Sequence, residues 1–65
     1  MYLYLAQGYG VNITGRTDNP EFTLLHLKAN ADETGVIRIQ IWKPYEEPIE
    51  NWWYDIFLKT WKKVH

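Results

Sequence analysis

A chain of 65 residues with no cysteine is one domain at most, and it has no disulfide, thiolate metal site or cysteine nucleophile. Its apolar content of 46% and aromatic content of 17% point to a dense core in place of a covalent or metal staple. The formal charge of −1 comes from seven basic and eight acidic residues mixed along the chain, so there is no polybasic arm of the kind that holds nucleic acid by phosphate contacts.

Residues 1–7 alternate, with Met1, Leu3 and Leu5 against Tyr2, Tyr4 and Ala6, and predict a first strand. Gly8 and Gly10 punctuate it, and residues 9–14 predict a short second strand. The run Gly15-Arg16-Thr17-Asp18-Asn19-Pro20 reads as a polar loop. Residues 22–29 alternate again and predict a third strand, with Phe22, Leu24 and His26 on one side and Leu25 and Leu27 on the other. Residues 36–42 give the clearest strand, Ile37, Ile39 and Ile41 opposing Arg38, Gln40 and Trp42. Beyond Pro44 the period changes. Ile49, Trp52, Trp53, Ile56, Phe57, Thr60, Trp61 and Val64 recur at helical spacing and predict a C-terminal helix over about 48–63. Acids at 46, 47 and 50 and lysines at 59, 62 and 63 match the macrodipole of that helix.

These elements predict a small two-layer α+β domain spanning 1–65. An antiparallel sheet of three or four strands carries one C-terminal amphipathic helix packed on its isoleucine face. One helix covers one face, so the other is expected to show Tyr2, Tyr4, Arg38, Gln40 and Trp42, while Tyr54, Leu58 and Trp61 form a second stripe on the helix flank. Tyr, Trp and Arg dominate interface hot spots, and these eight residues are the candidate partner-binding set. Of the neighbours Trp52 and Trp53, one is expected in the core and the other at the rim, where it becomes a further anchor.

Chemistry has little support. His26 sits among apolar residues with no partner acid at a telling spacing, and His65 is the last residue. Glu46, Glu47 and Glu50 are explained by a helix start, and no phosphate-binding glycine spacing occurs. The chain has no signal segment and no stretch near the ~20 apolar residues of a membrane span, and it is read as cytoplasmic. No catalytic residue, metal site or cofactor is expected. The expected function is that of a non-enzymatic protein-interaction module, binding a protein partner and pairing with itself as a homo-oligomer. Small inhibitors of host proteins encoded by phages or mobile elements are of this general type. The alternative is a nucleic-acid-binding domain whose sheet aromatics stack on bases with help from Arg16, Lys28, Arg38 and Lys43, provided these cations gather on one face.

Overall fold

A computed structural model describes residues 1–64; His65, set aside above as the last residue, lies outside the described residues. The element order is β1 (Tyr2–Gly8), β2 (Val11–Thr17), α1 (Pro20–Ala29), α2 (Ala31–Thr34), β3 (Val36–Trp42), β4 (Pro48–Asp55) and β5 (Thr60–Lys63). The five strands form one antiparallel sheet in the order β2-β1-β3-β4-β5. The molecule is thus a small α+β domain whose principal helix lies between β2 and β3 and not at the C-terminus.

Two expectations are corrected. Residues 22–29, expected as a strand, lie within α1. Asn19 caps this helix through its Oδ1, which accepts from the Phe22 N–H at 3.1 Å, and Pro20 occupies the first turn, where its missing N–H removes nothing. Glu, Leu, Lys and Ala are strong helix formers, and Leu24 and Leu27 turn toward the sheet. Residues 48–63, expected as a helix, form the β4–β5 hairpin. Of the acids and lysines that matched a helix dipole, Glu50, Lys62 and Lys63 enter cross-strand pairs: Lys62 Nζ lies 3.3 Å from Asp55 and Lys63 Nζ 3.8 Å from Glu50. Consecutive Trp, Trp and Tyr side chains fit a pleated surface better than a helix that must bury them on one stripe.

Residues directly opposite in an antiparallel pair share a face, so the register assigns both sides of the sheet. On the helix side run Ile13-Ala6-Ile39-Trp52-Lys63 and Gly15-Tyr4-Ile41-Glu50. Ala6, Val36, Ile39 and Ile41 are the fully buried core; Leu24, Leu27 and Ala31 pack onto it from above, with Tyr2, Tyr4, Val11, Ile13, Trp52 and Trp61 around it. The pairing shifts where Gly8 meets Val36, which places Val36 in the core. A Cβ on Gly8 would stand 1.9 Å from the Gly35 carbonyl oxygen, so this close approach needs glycine. Gly35 itself, at φ 82°, ends α2 in the left-handed region.

Lys28 ties α1 to the sheet. Its ammonium sits 3.2 Å from the centroid of the Trp52 ring, and the Trp52 indole N–H donates to Glu50. Burial pulls the Lys28 pKa below its usual value, Glu50 works against that shift, and Lys63 adds to it.

Candidate functional site: the uncovered sheet face

The opposite face carries three rows. Asn12-Gln7-Arg38-Trp53-Lys62 crosses all five strands; Thr14-Leu5-Gln40-Asn51 and Arg16-Leu3-Trp42 run beside it. α1 and α2 pack on the other side. Leu3, Leu5, Gln7, Arg38, Gln40 and Trp42 are half-buried by their sheet neighbours alone, while Trp53 is 42% exposed. The centre is aliphatic and amide, the rim is Trp and Arg.

Two polar atoms on this face are out of solvent without a hydrogen-bond partner among the described residues: Arg38 Nε and Asn51 Oδ1. Each stands at a concavity. Arg38 lines one of about 160 Å³ with Gln7, Ile37 and Trp53, and its guanidinium lies 4.9 Å from the Trp53 ring centroid. Asn51 lines a larger and more enclosed one of about 600 Å³ with Gln40, Glu47 and Ile49. An unpaired donor and an unpaired acceptor at this depth each cost on the order of 1–3 kcal/mol when no group satisfies them. The face therefore favours an incoming acceptor and an incoming donor at these two points.

The eight candidate residues do not form one surface. Arg38, Gln40 and Trp42 lie together on the uncovered face. Tyr2 and Tyr4 belong to the helix side, packed against the core, with Tyr4 over Gly15 and Lys43 Nζ 5.5 Å from the Tyr2 ring centroid. The alternation within β1 is as read, but its tyrosines face α1 and its leucines face outward. Tyr54 and Trp61 are also on the helix side, as an edge-to-face pair with centroids 5.4 Å apart. Leu58 is exposed in the β4–β5 turn. Trp52 and Trp53 do divide between core and rim, because adjacent residues of a strand point to opposite faces. Leu3, Leu5, Gln7 and Asn51 escaped notice; the signal for the first three was the β1 alternation itself, read with the wrong side inward, and Asn51 was hidden by the helical reading of 48–63.

The other exposed aromatics are dispersed. Tyr9 sits in the β1–β2 turn, Phe22 on α1, Tyr45 in the β3–β4 loop and Phe57 in the β4–β5 turn, and they gather into no cluster. His26 stacks on Phe22 with ring centroids 6.1 Å apart. Among the described residues no group of three or more His, Asp or Glu could hold a metal ion, and no helix is long and apolar enough to cross a membrane.

No protein-family model, no curated protein and no solved structure matches this chain.

Proposed function

We propose that the protein is a non-enzymatic binding module that docks a protein partner on the uncovered face of its sheet. The observation that carries this reading is the pair of unpaired, solvent-excluded polar atoms, Arg38 Nε and Asn51 Oδ1, on a face whose centre is Leu3 and Leu5. Five strands at ~4.8 Å spacing and about seven residues at ~3.3 Å span roughly 24 by 23 Å. With side-chain relief, that approaches the ~800 Å² each partner contributes to a standard interface. Trp42 and Trp53 are the anchors, and the amides of Gln7, Gln40 and Asn51 supply adaptable hydrogen bonds. A module of this kind acts by occupancy, as an inhibitor of a host protein encoded by a phage or mobile element would.

One observation favours the second reading, a nucleic-acid binder: Arg16, Arg38 and Lys62 all lie on this side, against Asp55 and the Glu47 beside Asn51. The protein reading is preferred for two reasons. Lys62 is engaged by Asp55 and Arg38 by Trp53, which leaves too few free cations for strong phosphate binding. β1 presents Leu3 and Leu5 to this face, so Trp42 and Trp53 stand apart with no run of stacking aromatics between them.

The test is affinity capture by the tagged chain from a lysate of its source cells, with and without nuclease, alongside Trp42→Ala and Leu5→Glu. A stoichiometric protein that survives nuclease and is lost with both variants is the expected result. Trp42→Ala should weaken binding by ~2 kcal/mol or more with the circular dichroism spectrum unchanged. Capture that disappears with nuclease establishes the second reading, and capture indifferent to both substitutions removes this face from the function.

A further inference from the structure

A five-stranded open sheet has two edges, and they are treated differently here. β5 is four residues long and carries Lys62 and Lys63, the usual protection of an edge against pairing. β2 is seven residues long, has no proline, carries Arg16 as its one charge, and pairs with β1 residue for residue without a bulge. Its outer row of backbone groups has no neighbouring strand. We propose that β2 is the self-association surface of this protein, pairing antiparallel with β2 of a second copy to make a continuous ten-stranded sheet.

The composition of β2 selects the partner. A symmetric antiparallel pair centred on Thr14 sets Thr14 opposite Thr14, Ile13 opposite Gly15, Asn12 opposite Arg16 and Val11 opposite Thr17. Large side chains meet small ones, threonines meet across the dyad, and Arg16 faces an amide and not its own copy; each is a favourable cross-strand match. An isologous contact of this kind closes at two copies. The dyad stands perpendicular to the sheet, so both helix layers stay on one side and both uncovered faces on the other. The helix side has room for the joint. A groove of about 400 Å³ lined by Ile13, Tyr4, His26 and Leu27 opens between α1 and β2, and Phe22, stacked on His26, is exposed beside it. Stacking two uncovered faces is a poorer alternative, because each brings Arg16, Arg38 and Lys62 against Asp55 and Glu47, an excess of cations.

The experiment is sedimentation velocity on the full chain, comparing wild type, Thr14→Lys, Thr14→Glu and an equimolar mixture of the two variants. Thr14 is exposed, so neither change disturbs the core. The wild type should form dimers, and each variant alone should associate about tenfold more weakly or worse, since like charges meet at the dyad. The mixture should recover the dimer. Asn12→Lys, which sets a second cation opposite Arg16 of the other copy, should weaken association in the same way and reads the register without touching Thr14. A wild type that stays monomeric up to about 1 mM, single variants that dimerise like wild type, or a mixture that does not recover would each overturn the proposal. The docking face is independent of this edge: Trp42→Ala should leave the dimer intact, and loss of the dimer with that variant would place the copies face to face instead.

Discussion

Asp55 closes the β4–β5 turn. Its Oδ1 accepts from the Phe57 N–H at 2.9 Å and the Leu58 N–H at 3.0 Å, and Lys59 follows at φ 54°. The Leu58 N–H is the main cause of a carboxyl pKa below its ordinary 3.8; partial desolvation opposes the shift, and the Phe57 N–H and Lys62 add to it. A carboxyl held lower in the folded chain contributes stability that is present above the unfolded value of 3.8 and lost as pH falls through the lower folded value. Asp55→Asn keeps an acceptor for the turn but not the charge. Its melting temperature should therefore fall less steeply than that of the wild type on acidification below about pH 4. Parallel acid limbs for the two proteins would show that the carboxylate does not set this dependence. Gly8→Ala tests packing in the same residue-by-residue terms. The new methyl meets the Gly35 carbonyl, and the backbone shift needed should remove ~1–3 kcal/mol in urea unfolding.

At the scale of elements, α1 and the β4–β5 hairpin show why two periods were confused. α1 has no fully buried residue, so its hydrophobic signal is weak, and Phe22 with Leu24 and Leu25 with Leu27 can be counted as alternation as readily as helical spacing. The informative residues were Asn19, Pro20 and Glu21, a capping sequence rather than a loop. Asn19→Ala should weaken the helix and lower stability by ~1 kcal/mol, read as a reduced urea midpoint with the strand signal retained. In the hairpin, acids followed by lysines satisfy a helix dipole and an antiparallel ladder equally well, and only pairing across the turn separates them. The turn itself exposes Ile56, Phe57 and Leu58, with Phe57 89% exposed. Ile56 and Phe57 entered the helical count as core positions, and Leu58 the stripe on the helix flank. Phe57→Ser should change stability by no more than about 0.5 kcal/mol, whereas a helix core position would have lost several times that on equilibrium unfolding.

At the scale of the whole molecule, the sheet has one core and one uncovered side. Four fully buried residues hold the two layers together. A chain of 65 residues has roughly 3–10 kcal/mol of stability in total, and Ile39→Ala, at a position with no exposure, should remove ~2–5 kcal/mol of it. That variant should unfold at a much lower urea concentration than the wild type by circular dichroism. Trp42→Ala, on the uncovered side, should unfold at nearly the wild-type urea concentration when partner is absent. The contrast between these two variants locates the core on the α1 side and the docking surface on the other.

Composition and local pattern were enough to place strands at 1–7 and 36–42 in a cysteine-free chain, while the helix of this α+β domain was expected in the wrong segment. Leu3 and Leu5 alternate with Tyr2 and Tyr4, and Ile37, Ile39 and Ile41 alternate with Arg38, Gln40 and Trp42, and that signal is local. The identity of 22–29 and 48–63 was not local. A short helix with one lightly buried stripe and a hairpin rich in tryptophan both present apolar residues at spacings that fit either period, and packing against β3 chose between them. Which side of β1 faces inward was likewise decided at the tertiary level. Tyr2 and Tyr4 can cover Gly15 and meet α1 only from one side, and that choice turned Leu3 and Leu5 outward to join Arg38, Gln40 and Trp42. The composition of the uncovered face thus follows from where the helix falls in the chain order, a property of the assembled sheet and of no single segment.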